Sequence, residues 1–366
     1  MTNGRIGLGI VGLSAHRGWA ASSHLPALAV LPQYELRALS ASSMESAAVA
    51  AAKYGAPIAC ASAEELAARP EVDLVVVSVK VTEHKRAVDA ALDAGKHVLC
   101  EWPLGKNLRE AEEMASKAKA RGVRGFVGVQ ARFQPAMLYL RDLIAEGYVG
   151  EVLSTSVIAS GPIATAGPDG VLRASQGSLY YLDRANGGGM IDIPFGHTID
   201  GLCQLFGELG EIRPTLAVRR STAVVTETGE TAPVTNFDQL ALSGVFANGA
   251  VASIHYRAGI APTGTGLYWE INGTKGTLVV TGPMGHLQLV PLTLRGASGA
   301  EAALGELPVP AKYFPAPDMP TGAQAVAGLY AAVAADLQGG THTAATFDDA
   351  VARHRMIARI VEAAGA

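Results

Sequence analysis

The sequence predicts a two-domain α/β protein: an amino-terminal doubly wound domain over residues 1–128 and a carboxy-terminal α/β domain over 129–366, built on a large, mostly antiparallel open sheet. Three observations predict it. The first third alternates short apolar runs with Ala-rich helical stretches, as crossover units around a buried parallel sheet require. After about residue 150 the apolar runs alternate in polarity and are separated by turn signals such as Ala247-Asn248-Gly249 and Asn272-Gly273. A chain of 366 residues also exceeds what one ordinary core organises.

In the first domain Ile6–Val11 is a fully apolar run of strand length, Trp19–Leu31 is helical, Tyr34–Leu39 is a second strand and Met44–Tyr54 a second helix. Asp73–Val79, His97–Cys100 and Gly125–Val129 read as further strands, with helices at Glu83–Ala94 and Leu108–Arg121 between them. In the second domain, strands are expected at Glu151–Ser160, Glu211–Arg219, Phe237–Phe246, Ala250–Arg257, Leu267–Asn272, Thr277–Thr281 and His286–Val290. A helix is expected around Gly188–Leu205, and two more at Ala323–Leu337 and Phe347–Ala363, the last able to pack back on the first domain. Leu292–Pro320 mixes Gly, Pro and Ala and reads as a long surface loop.

Composition narrows the function classes. With 49% hydrophobic and 17% charged residues and a net charge of −4, the chain reads as globular, and its scattered Lys and Arg argue against nucleic acid as a partner. No apolar stretch approaches membrane-helix length, and the first residues do not read as a signal peptide, so a cytoplasmic protein without a membrane partner is expected. Cys60, Cys100 and Cys203 are far apart, with no His at ligand spacing; reduced thiols and no metal are expected.

Chemistry first shows at the glycine-rich turn after the first strand. A literal G-x-G-x-x-G at Gly7, Gly9 and Gly12 lies inside the strand and is fortuitous. The useful turn is Gly12-Leu13-Ser14-Ala15-His16-Arg17-Gly18-Trp19. There small residues allow close approach of a pyrophosphate, Ser14 offers a hydroxyl and Arg17 a cation. The second strand ends at Ser40-Ala41-Ser42, with no acid before Glu45, which leaves room for a 2′-phosphate and favours NADP over NAD. Expected dinucleotide contacts are therefore Gly12, Ser14, His16, Arg17, Gly18, Trp19, Ser40 and Ser42.

Five stretches resemble the glucose–fructose oxidoreductase and inositol dehydrogenase (Gfo/Idh/MocA) family. They are HLPAL (24–28), VDLVVVSVKVTEHKRAVDAALDAGKHVLCEWP (72–103), RFQPAMLYLRDLIAEGYVGEV (132–152), GGGMIDIPFGHTID (187–200) and INGTKGTLVV (271–280). The resemblance implies a Rossmann domain, an open-sheet domain that supports a homodimer or homotetramer, an active site between the two, and hydride transfer between NADP or NAD and a sugar or polyol. It adds Glu101, Trp102 and Gln130 to the expected cofactor contacts. Where members of the family carry Glu-Lys-Pro, this chain reads Glu101-Trp102-Pro103, and an indole cannot relay a hydroxyl proton. The family Asp four residues before His197 is Ile193 here, with Asp192 one residue earlier and about 100° around a helix.

The expected acid–base set is therefore His197 with help from Lys80, Asp192 or Tyr181, and the expected substrate contacts are Trp102, Arg132, Tyr180 and Tyr181. His84, His97, His255 and His286 read as structural or surface residues. An alternative to the enzyme is a dinucleotide-binding sensor or transcriptional regulator of sugar metabolism. The glycine turn, Glu-Trp and Phe-Gly-His-Thr-Ile-Asp stretches resemble the regulator subgroup that holds the fungal galactose-pathway repressor.

Overall fold

The computed structural model describes residues 4–161, 165–166, 171–259 and 266–366, the side chains of 165–166 excepted. The chain divides into two compact units, residues 1–130 with 315–354 and residues 131–314 with 355–366. Residues 315–354 thus group with the first unit, whereas the sequence placed the boundary near residue 128 and let only the last helix pack back.

The first unit is a six-stranded parallel sheet in the order β3-β2-β1-β4-β5-β6. Its strands are β1 (Ile6–Val11), β2 (Tyr34–Ser40), β3 (Ile58–Cys60), β4 (Leu74–Val77), β5 (His97–Glu101) and β6 (Gly125–Gly128). Every residue of β1 and β4 is buried, which is why both read as unbroken apolar runs. The helix expected over Trp19–Leu31 is a π turn at Ala20–His24 leading into α1 (Leu25–Ala29). Pro26 has no N–H for the α-helical bond, and the wider turn is closed instead by Leu25 N–H donating to the Ala20 carbonyl.

The helix α2 (Met44–Tyr54) opens on the Ser43 hydroxyl, which accepts from Ser46 N–H, and closes on Gly55 at φ 69°. The short pair β3 and α3 (Ala63–Ala67) has too few apolar residues to stand out in the sequence. Helices α4 (Val81–Asp93) and α5 (Leu108–Ala120) complete the crossovers.

In the second unit α6 (Pro135–Ala145) precedes an eight-stranded, mostly antiparallel sheet in the order β10-β13-β14-β7-β15-β16-β17-β18. The strands are β7 (Val152–Gly161), β10 (Leu209–Ala217), β13 (Gln239–Phe246), β14 (Val251–Ala258), β15 (Leu267–Gly273), β16 (Gly276–Gly282), β17 (Thr293–Ser298) and β18 (Gly305–Glu306); only β14 and β7 pair in parallel. A second sheet, β12-β11-β9-β8, joins β8 (Thr165–Ala166), β9 (Leu172–Ala174), β11 (Thr222–Val225) and β12 (Thr231–Pro233) over a small core of Leu172, Ala174, Leu182, Ala223 and Val234.

One face of the large sheet buries Val157, Ile254, Trp269 and Ile271, with Phe206 at the end of α7 (Pro194–Phe206) packed edge-on to Trp269. The chain then returns through α8 (Thr321–Gly339) and α9 (Phe347–Ala363).

Two expectations for this half are corrected. His286–Val290 is no strand but a single 3-10 turn at Leu287–Leu289, because the polar Gln288 of the alternating pattern is buried beside His286 rather than turned to solvent. The expected loop 292–320 contains β17 and β18, whose ladder bonds to β16 and to each other are non-local and leave little local signal.

Candidate functional site

At the carboxyl ends of β1, β2 and β4 the first unit forms a cleft of about 850 Å³. Gly12, Ser14, His16, Arg17, Gly18, Ser40, Ser42 and Lys80 all line it, so the turn residues read from sequence converge. Gly12 is required there: its φ is 94°, and a Cβ would meet the Ser78 carbonyl oxygen at 2.4 Å. Gly18 also has positive φ, at 107°. Lys80 sits just beyond β4, at the entry to α4. Glu45 lines the cleft as well, which brings an acid next to the two serines.

Trp19 stands outside this lining; its ring lies against Gly322 and edge-on to His24. Glu101, Trp102 and Gln130 also fall outside it; Glu101 and Gln130 form a separate network at the end of β5. The Gln130 amide nitrogen lies 2.9 and 2.8 Å from the two Glu101 carboxylate oxygens, and His24 Nε2 lies 2.9 Å from one of them. His24 Nδ1 meets the Tyr330 hydroxyl at 2.8 Å, and the Tyr34 hydroxyl donates to the Tyr330 carbonyl.

Trp102 is buried behind a cis bond to Pro103, with its ring 4.7 Å from that of His354. Burial, with the His84 imidazole next, lowers the His354 pKa to about 4, and His354 Nε2 is buried with no hydrogen-bond partner among the described residues. His84 is structural, its two nitrogens on the Pro103 and Val79 carbonyls. Neither His24 nor His354 was legible as part of a site.

The remaining candidates lie in the second unit. His197 is buried in α7 with its ring 4.9 Å from that of His286 and, among the described residues, no hydrogen-bond partner for Nδ1. Burial first, and His286 second, push its pKa well below the usual imidazole range; burial lowers His286 to about 3. His286 is thus structural rather than on the surface: Gln288 holds its Nε2 at 2.9 Å, and among the described residues its Nδ1 has no partner either. A donor amide on Nε2 places the proton on Nδ1, so His286 presents a buried N–H and Gln288 a buried carbonyl oxygen.

Asp192 precedes α7, which begins at Pro194 rather than at residue 188, so the helical phase argued for Asp192 does not apply. Its carboxylate accepts Gly189 N–H at 2.9 Å, and burial raises its pKa to about 6 against the opposing effects of that hydrogen bond and of Arg184. Arg132 forms a two-point pair with buried Asp200 at 2.7 and 2.8 Å, which commits two of its N–H groups. Tyr180 and Tyr181 stack on each other with centroids 4.0 Å apart, against Gly188. Burial raises the Tyr180 pKa, with the Tyr181 hydroxyl adding to the shift.

A parallel sheet whose strand order reverses between β1 and β4, with a glycine-turn cleft opening there, defines a Rossmann-fold dinucleotide-binding protein. Residues 6–129 match the oxidoreductase family with an NAD-binding Rossmann fold, and residues 135–282 match the Gal80p carboxy-terminal domain. Dehydrogenase aclE of Aspergillus oryzae is 31% identical over 98% of this chain and 96% of its own. The chain belongs to the Gfo/Idh/MocA oxidoreductase family.

The galactose/lactose metabolism regulatory protein GAL80 of Saccharomyces cerevisiae is 29% identical over 79% of this chain and 69% of its own. A crystal structure of a super-repressor mutant of that protein matches with a TM-score of 0.87 at 23% identity, covering 99% of this chain and 96% of the other. Levoglucosan dehydrogenase in complex with NADH and L-sorbose matches with a TM-score of 0.83 at 22% identity, covering 99% and 97%. Among the described residues no group of three or more His, Cys, Asp or Glu is placed to hold a metal ion, and no helix is long and apolar enough to cross a membrane.

Proposed function

We propose that the chain is an NAD(P)-dependent oxidoreductase acting on a CH–OH group of a sugar, cyclitol or related polyol. The observation that carries this reading is the cleft of the first unit, where the glycine turn, two serines and Lys80 meet at the strand ends. Gly12 lets the turn pack directly against the Ser78 carbonyl and Val79, where a Cβ would not fit, and so keeps the turn in the shape that lines the cleft. The bound dinucleotide would supply the hydride acceptor.

The protein's own part is proton handling. His197, neutral at physiological pH because burial disfavours its charged form, accepts the hydroxyl proton as carbon loses hydride. Lys80, Tyr181 and Asp192 are the candidate secondary groups in place of the Lys that Trp102 replaces. Ser40 and Ser42 favour NADP, and Glu45 on the same lining opposes it; the reading taken is NADP bound more tightly than NAD.

The test is to load the purified chain with either dinucleotide, measure both dissociation constants, and follow nicotinamide absorbance across a panel of sugars and polyols. Turnover that His197→Ala abolishes while dinucleotide binding stays intact supports the assignment; undiminished turnover in His197→Ala refutes it. The second reading is a dinucleotide-binding regulator. It is supported by the Gal80p carboxy-terminal match and by the buried Trp102–His354 stack in place of an acid–base Lys. Tight dinucleotide binding with no turnover on any alcohol, and retention of a protein partner, is its signature.

A further inference from the structure

We propose that Lys53 and Tyr54, which stand outside the cleft lining, are positioning residues that hold the glycine-rich turn ready for a dinucleotide pyrophosphate. This rests on the dinucleotide reading of the cleft. At the end of α2, Lys53 Nζ donates to the Ala15 carbonyl at 2.5 Å. The Tyr54 hydroxyl reaches the Ser14 and Ala15 carbonyls at 3.1 and 3.3 Å. Gly55, at φ 69°, stops the helix immediately afterwards, so both side chains leave from its last turn.

A trans peptide directs its C=O and N–H to opposite sides. With the Ser14 and Ala15 carbonyls drawn onto α2, the N–H groups of Ala15 and His16 are turned away from α2. Ser14, Ala15 and His16 all line the cleft, so these N–H groups can form an anion-binding concavity there. The His16 N–H makes a long 3.3 Å bond to the Ser14 hydroxyl, which an anionic oxygen can displace.

The flanking Gly12 and Gly18 give the turn conformational freedom, and the two α2 side chains remove it before the ligand arrives. Lys53 also sets a positive charge behind the turn, 5.2 Å from the Tyr54 ring centre. Loss of these ties frees two carbonyl dipoles to rotate toward the position of the phosphates.

The experiment uses the full chain, with NADPH, ADP-ribose and adenosine as probes in calorimetric titrations of wild type, K53M, K53R and Y54F. Removing one charge-assisted hydrogen bond is expected to weaken ADP-ribose about tenfold in K53M. Adenosine, which carries no phosphate, should bind K53M as it binds wild type, and the unfolding midpoint of the ligand-free variant should stay put. K53R restores ADP-ribose binding, and Y54F loses part of it. ADP-ribose affinity in K53M within about twofold of wild type, or an equal loss for ADP-ribose and adenosine, overturns the proposal. Wild-type protein that binds neither NADPH nor ADP-ribose overturns the dinucleotide reading itself and takes this inference with it.

Discussion

Four buried imidazoles, His84, His197, His286 and His354, all have pKa values lowered first by burial. Unfolded, each takes a proton near 6.5; folded, His286 and His354 resist protonation down to about 3 and 4. Between those limits the unfolded chain binds more protons, so acidification below about 6.5 removes stability, at about 1.4 kcal/mol per pH unit per imidazole. Asp192 acts in the opposite sense. Its pKa, raised by burial from 3.8 to about 6, contributes stability at low pH that is lost as pH rises through 6.

The expected outcome is a fall in urea-unfolding free energy from pH 6.5 to 5. His286→Asn should flatten that slope by about 1.4 kcal/mol per pH unit. An unchanged slope in His286→Asn would show that this imidazole is not kept neutral by the fold. His197 was legible because its motif is local. His286 was not, since its neighbour lies on a distant segment and its own alternating pattern pointed to a strand.

At the scale of elements, the parallel strands were legible because burial on both faces leaves nothing but apolar residues to read. The start of α7 was not legible. The Gly187–Gly189 run continues the helical apolar pattern, yet the chain turns there until Pro194, a residue suited to a first helical position, opens the helix. The turn after β1 carries the clearest element-level prediction. Gly12→Ala places a Cβ 2.4 Å from the Ser78 carbonyl and forces a left-handed φ on a residue that resists it. We expect at least a tenfold loss of NADPH and NADH binding, with far-ultraviolet circular dichroism unchanged; retained affinity would mean the dinucleotide does not approach this turn.

For the whole molecule, the two-unit plan follows the change of pattern near residue 150, and the sequence allowed the last helix to pack back on the first unit, but nothing in it marked residues 315–346 as going there as well. Helices α8 and α9 look alike in sequence whichever sheet they serve. Their membership depends on contacts such as Tyr330 with Tyr34 and His24, Arg124 with Asp336, and Phe347 against Gly125. A fragment of residues 1–130 should therefore unfold without cooperativity in a calorimeter. The same fragment joined by a short linker to 315–354 should show a single transition, and a cooperative 1–130 would refute the dependence.

Tyr330, fully buried, reaches His24 and Tyr34 across about 300 residues of chain. During synthesis, β1 leaves the ribosome well before α8 and waits for it before its unit can close. Residues 131–314 of the second unit are made before α8, so its large sheet can pair while the first unit still waits for the segment that completes its core. Translation that stalls before α8 would yield chains whose large sheet can form while the first unit lacks Tyr330 and the rest of its closing segment.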